Sequence, residues 1–257
     1  MVGKFKILVA APIFDGMRYC IDQFIDRIKH LDYGDYDILL VDNSKSDLFS
    51  EELREKYDVN VSYLPMDVPN MEKIIQSRNR ILDYAVNKSY DYILMMDCDV
   101  IPPTDIIDKL LSHEKDIVSG LYYGFFGPKG KEKWESVAWK SASDEELAKI
   151  KARFPEFIKA HPDVRRHLTD DEIKSEELQE VIIPSAGCML VSKNVLKKVR
   201  YGLLDVSGYN TSDDIFFCKA AREAGFKLYC DPSVKCEHLI DGKFRKVGDN
   251  FVHPAYG

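Results

Sequence analysis

No apolar run in this chain of 257 residues approaches the ~20 residues needed to cross a bilayer, so no membrane span is expected. Positive charge is also scarce. Lys and Arg number 36 against 43 Asp and Glu, a formal net charge of −7. The broad cationic footprint that holds a phosphate backbone is therefore missing, and nucleic acid is not an expected partner. The six cysteines, Cys20, Cys98, Cys188, Cys218, Cys230 and Cys236, show no CxxC pairing. That argues against a zinc site or a dense disulfide framework and fits a reducing cytoplasm. Neither a P-loop nor the dinucleotide fingerprint GxGxxG occurs, so P-loop hydrolysis and dinucleotide binding lose support. The stretch from Lys4 to Phe14 faintly imitates a secretion signal, but Pro12 interrupts its apolar run and Asp15 closes it. It reads as a buried first strand.

What is present is an ordinary globular balance, 45% apolar and 31% charged. Strand-like runs alternate with helix-period segments in the order β-α-β-α-β, the pattern of a mostly parallel sheet wrapped by helices. The expected strands are Ile7 to Ala11, Tyr36 to Val41, Val59 to Leu64, Tyr90 to Met96 and Ile117 to Tyr122. The first helix places Ile21, Phe24, Ile25, Ile28 and Leu31 on one face, and a longer helix spans Met71 to Asn87. Further on, a strand is expected near Gly187 to Ser192, a helix from Asp213 to Ala224 stopped by Gly225, and strands at Lys227 to Cys230 and Val234 to Leu239. Residues 127–180 are strongly charged and read as a partly helical insertion over one face. With no linker in evidence, one domain is expected.

The most informative feature is the apolar strand Tyr92 to Met96 ending in Asp97-Cys98-Asp99. Residues two apart in an extended chain point the same way and lie roughly 6.5 to 7 Å apart, so the two carboxylates can share one polyanion or ion. A plain turn before Pro102-Pro103 is the alternative. Ligands of open α/β sheets gather at the carboxyl ends of strands, and Asp15, Asp42, Asp97 and Asp99 all lie just past such ends. Arg78 falls in the middle of the apolar stripe Met71, Ile74, Ile75, Ile81, Leu82 and Ala85. A guanidinium on the core side must find an anion: Asp97, Asp99 or a ligand phosphate. Ser212 can cap the helix that Asp213 and Asp214 open, and the acids also suit a general base. His238 is either structural or part of an imidazole-carboxylate metal shell. Lys243, Arg245 and Lys246, between Gly242 and Gly248, either close over a diphosphate or form a solvated run. Tyr122, Tyr123, Phe125, Phe126, Trp134 and Trp139 offer aromatic faces for a sugar or for packing.

Taken in order, Ala10-Ala11-Pro12, Val41-Asp42-Asn43-Ser44, Arg78-Asn79, Asp97-Cys98-Asp99, the segment Pro184 to Leu190, and the run Ser212 to His238 resemble a GT-A glycosyltransferase of the family-two type. The resemblance spans most of the chain and leaves out the middle insertion. It implies a GT-A fold, with a nucleotide-sugar-binding half over 1–101 and an acceptor-binding half over 117–257. It implies a UDP- or GDP-linked hexose donor, with Pro12 and Asp42 near the base, and Asp15, Arg78 and Asp97 on the donor. Mn2+ or Mg2+ would be held by Asp99, Asp97 and His238. Asp214 would be the base of an inverting transfer to an acceptor hydroxyl, Asp213 would position the acceptor, and Gly187 would let the chain approach the sugar. The acceptor is left open among a glycan, a lipid-linked and a small molecule, and so is peripheral contact with a membrane. The family's usual acidic pair is Glu-Asp, whereas here it is Asp213-Asp214. The alternatives are a non-catalytic nucleotide- or sugar-binding protein and a haloacid-dehalogenase-like phosphatase. In the latter the Asp-x-Asp pair ends the first strand; here it follows several elements.

Overall fold

The computed structural model describes residues 5–127, 130–153, 155, 164–203, 205–206, 209–210, 212–240, 245–247 and 250–252. The first three strands are β1 (Ile7–Ile13), β2 (Tyr36–Asp42) and β3 (Val61–Tyr63), joined by α1 (Ile21–Lys29) and α2 (Leu48–Tyr57). Next come α3 (Asn70–Asn87), β4 (Tyr92–Met96), β5 (Val100–Ile101), α4 (Ile106–Leu111), β6 (Ile117–Leu121) and β7 (Tyr123–Phe126). The insertion holds β8 (Lys133–Ser136), β9 (Trp139–Ser141), α5 (Asp144–Arg153), β10 (Arg165–His167) and a short helix Asp170–Lys174. The chain then forms β11 (Gln179–Val181), β12 (Cys188–Ser192), a helix Lys193–Leu196, β13 (Asp205–Val206), β14 (Tyr209–Asn210) and a helix Asp213–Glu223. It ends in β15 (Leu228–Lys235), β16 (Glu237–His238), β17 (Arg245–Val247) and β18 (Asn250–Val252).

Eight strands make one sheet in the order β11-β15-β6-β12-β4-β1-β2-β3. The pairs β3-β2, β2-β1, β1-β4 and β6-β15 are parallel. Strand β12 runs antiparallel between β4 and β6, and β11 lies antiparallel on the β15 edge. Strands of both halves thus share a single sheet. The order reverses between β1 and β4, and the crevice beyond their carboxyl ends is where such sheets receive ligands.

Helices cover both faces because each carries one apolar stripe. In α1, Ile21, Phe24, Ile25 and Ile28 are buried and no side chain caps the start. Burying four such residues at about 1.5–3 kcal/mol each outweighs the missing cap, worth about 1 kcal/mol. The two buried clusters lie on opposite sides of the sheet, one centred on Leu8, Met95 and Phe217, the other on Ile7, Phe24 and Leu94.

Two expectations are corrected. The segments Lys227 to Cys230 and Val234 to Leu239 are not separate strands, since β15 runs from Leu228 to Lys235 with a register shift. Pro232 lies in that shift, where a residue without an N–H is tolerated. The helical stretch Asp144 to Arg153 within residues 127–180 is α5, while Gln179 and Glu180 already belong to the central sheet and two antiparallel strand pairs, β7 with β8 and β9 with β10, precede them. No helix among the described residues is long and apolar enough to cross a membrane. Gly208, Gly242, Lys243 and Gly248 lie outside the described residues.

Candidate active site

The site is organised by Arg78. Helix α3 starts at Asn70 after Pro69 and buries Ile75, Ile81, Leu82 and Ala85, which carries Arg78 inward with a side chain only 5% exposed. Its Nη2 donates to Asp97 Oδ1 at 2.6 Å, its Nη1 donates to Asp214 Oδ1, and Asp213 Oδ2 lies 3.0 Å from Nη1 without hydrogen-bond alignment. Beneath the guanidinium is the Tyr201 ring at 5.2 Å, fixed by reciprocal 3.0 Å bonds between Asn79 and the Tyr201 backbone. One cation therefore faces three carboxylates. Burial, with Asp97, Asp99, Asp213 and Asp214 crowding one another, lifts Asp97, Asp213 and Asp214 above the ordinary carboxylate range, although Arg78 pulls the other way. The same acids hold Arg78 protonated against its own burial.

This cluster is a wall between two cavities. On one side a 200 Å³ cavity is lined by Pro12, Ile13, Phe14, Met17, Asn43, Ile74, Arg78, Asp97, Cys98, Asp99 and Asp213. A 400 Å³ cavity with Asp15, Ser44, Lys45, Asn70 and Lys73 shares its Phe14, Asn43 and Ile74. On the other side a 560 Å³ cavity contains Ser212 and Asp214. Neighbouring residues of one helix start thus face opposite rooms. Ser212 does cap that helix, its Oγ accepting from Ile215 N at 3.5 Å, and the capping also aims the two acids.

Asp99 meets His238. The Asp99 Oδ2 to His238 Nε2 distance is 3.6 Å, and Tyr19 donates to the same Oδ2 at 3.3 Å. His238 Nδ1 lies 2.7 Å from Tyr123 O, which fixes the proton on Nδ1 and leaves Nε2 toward Asp99. Burial alone would lower the imidazole's pKa, but Asp99 raises it. Four carboxylates around one guanidinium and one imidazole leave an excess of negative charge, a donor set that fits a divalent cation. Among the described residues no three His, Cys, Asp or Glu side chains form a ready-made metal group.

Four expected site residues have other contacts in the structure. Asp97 Oδ1 accepts from Arg78, and Oδ2 lies close to Gly187. A Cβ at Gly187 would stand 2.7 Å from Asp97 Oδ2 and from the Tyr122 hydroxyl. Asp42 closes the end of β2. It is fully buried, accepting from Ser44 N at 2.9 Å, from Ser44 Oγ, and from Ser50 Oγ at 2.6 Å. Asp213 lines the Asp99 side rather than the Asp214 side of the wall. Arg78 spends its terminal nitrogens on carboxylates, the ion-pair alternative, and Asp15 lines the 400 Å³ cavity.

The sequence pattern gives Asn43 and Tyr122 no contact role of this kind, and it does not single out Tyr19 or Tyr201. Asn43 lines both cavities on the Asp99 side and donates Nδ2 to Ser77 at 3.0 Å, leaving its carbonyl oxygen to accept. Its position next to Asp42 at a strand end was the available signal. For Tyr201, 123 residues from Arg78 in sequence order, there was none.

The glycosyl transferase family 2 model matches residues 12–200. The chain belongs to that family. No curated protein sequence matches it. Among solved structures it is similar to GalNAc-T7 with UDP, GalNAc and Mn2+, at 13% identity and a TM-score of 0.62 over 93% of this chain and 44% of that one. It is similar also to S. aureus TarS, at 13% identity and a TM-score of 0.50 over 96% of this chain and 36% of that one. The family-two chain thus spans less than half the length of either. These likenesses show the fold, which is GT-A, and the family is one of glycosyltransferases.

Proposed function

We propose that this family-two glycosyltransferase moves a hexose from a nucleotide diphosphate to an acceptor hydroxyl with inversion. The observation that carries it is the wall: Asp99 and His238 with Asn43 on one side, Asp214 in a separate cavity on the other. The nucleotide occupies the paired cavities on the Asp99 side, with Asn43 accepting from the base and Asp15 and Pro12 lining the way. UDP is favoured over GDP by the UDP and Mn2+ in the GalNAc-T7 crystal. Asp99 and His238 would hold Mn2+ or Mg2+, which supplies Lewis-acid neutralisation of the departing diphosphate. Asp97, held by Arg78, fixes the wall.

Asp214 takes the proton from the acceptor hydroxyl as that oxygen bonds to the anomeric carbon, and the bond from carbon to diphosphate oxygen breaks with its electron pair leaving on the diphosphate. The raised pKa of Asp214 makes it a better base than a surface carboxylate. Family membership removes the phosphatase alternative. The test is thermal unfolding with UDP or GDP, with and without Mn2+ or Mg2+. A nucleotide that binds the native state raises the melting temperature, and the rise is expected only when the cation is present and to vanish with a chelator. No cation-dependent rise with either nucleotide would sink the donor half of this reading.

A further inference from the structure

The cavity on the Asp214 side is built for something greasier than a free sugar. Its walls are Phe126, Val137, Trp139, Ile183, Pro184 and Ile215, with Val164 and Ala186 completing the apolar part. Phe126 and Trp139 stand edge to face with centroids 5.2 Å apart, and His167 backs Trp139 at 3.8 Å, so the aromatic wall is braced. Among the described residues the polar lining is Arg165, Ser212 and Asp214 alone, and Ser212 Oγ already accepts from Ile215 N. A free hexose presents hydroxyls on every edge, and each one buried without a partner weakens binding. At 560 Å³ the space is in the range of about 300–1,000 Å³ that holds a drug-sized molecule. Asp214 with Arg165 and the Ser212 hydroxyl in an otherwise apolar room suits a ligand with a small polar head that carries the reacting hydroxyl and an apolar body.

We propose that the acceptor is such an amphiphile, its hydroxyl-bearing head at Asp214 and an apolar body against Phe126, Trp139 and Ile215. This rests on the reading of Asp214 as the base of the transfer. The body's chemistry has two sources, a flexible hydrocarbon chain of a lipid-linked acceptor or a flat aromatic aglycone.

Trp139 makes the test direct. The chain has two tryptophans, so Trp134→Phe leaves Trp139 as the one indole, and its emission reports on this cavity. Methyl, phenyl and octyl β-glucosides, the last kept below its micelle concentration, are titrated against that emission. The phenyl or octyl compound is expected to bind at least about tenfold tighter than the methyl one, since apolar area leaves water, and Ile215→Ser is expected to shrink the preference. Octyl over phenyl selects the hydrocarbon source, and the reverse selects the aromatic one. Equal affinity of all three, absence of binding by both apolar glucosides, or a preference untouched by Ile215→Ser overturns the proposal. Nucleotide melting with Mn2+ on the same protein separates the two ideas: a retained shift without apolar preference removes the amphiphile alone, and a missing shift removes the donor site.

Discussion

Two arginines of this chain gather carboxylates, and their surroundings could hardly differ more. Arg78 is 5% exposed and faces Asp97, Asp213 and Asp214. Arg166, in the insertion, is 26% exposed and holds Glu172 through bonds of 2.7 and 2.9 Å, with Glu146 at 3.5 Å and Lys140 also on Glu172. Around Arg166 the charges balance and water screens them. Around Arg78 three acids outnumber one cation, and the guanidinium and Asp213 are withdrawn from water while Asp97 and Asp214 keep an open edge. The acids respond in opposite directions: hydrogen bonds from Arg166 hold Glu172 well below the usual range, whereas burial pushes Asp97, Asp213 and Asp214 up. A charge cluster that staples a surface is neutral and wet. One that is poised for chemistry is unbalanced around a withdrawn cation.

Removing Arg78 sharpens this contrast most. Arg78→Met strips the counter-charge from buried Asp213 and half-buried Asp97 and Asp214 and is expected to cost about 3 kcal/mol, read by urea unfolding at neutral pH, with transfer abolished. The loss should shrink in mild acid, where the acids protonate. A midpoint that hardly moves would break the comparison. Next comes Asp214→Asn, which keeps the shape and removes the base. The turnover rate is expected to fall by about 10²–10⁴-fold while UDP with Mn2+ still raises the melting temperature. Loss of both properties, or of neither, counts against Asp214.

The pH profiles should then diverge. If Asp214 is the base it must be deprotonated, and its pKa is raised by burial, so the transfer rate is expected to climb with pH through a midpoint above the ordinary aspartate value of about 3.9. Glu172 is depressed, so its contribution to stability is present above its unfolded value of about 4.3 and fades as pH falls toward the folded one. The smallest effect belongs to Glu172→Gln, expected at no more than about 1 kcal/mol. High salt should erase it, while leaving the Arg78 penalty nearly intact. An equal salt response at both arginines would put them in the same class.

Local pattern made much of this legible. The period of Ile21, Phe24, Ile25 and Ile28 locates α1, and the stripe along α3 exposes Arg78 as a charge on the core side. The strand running into Asp97 and Asp99 marks the site's edge. The same stripe fails at its start, because Met71 is exposed and Ile74 lines the donor-side cavities rather than the core. What periodicity cannot supply is which distant residues meet. Asp97 and Asp214 come to one guanidinium from different elements, Asp42 is saturated by two serines, and Gly187 owes its identity to the Asp97 carboxylate. Those facts depend on three-dimensional contacts between groups with no shared sequence signal.

Strand β12 has a consequence for how the molecule comes into being. It enters the sheet between β4 and β6, bringing Gly187 O to accept from Asp97 N at 2.9 Å. The N-terminal strands β1, β2, β3 and β4 can pair among themselves soon after they are made, but Asp97 has no such partner until the chain beyond the whole insertion arrives. Long-range pairing of this kind is slow. This edge is therefore expected to close after β1 to β4 have paired, and pulsed hydrogen exchange during refolding should protect the amide of Ala10 before that of Asp97. The chemistry would then be switched on by the completion of folding itself.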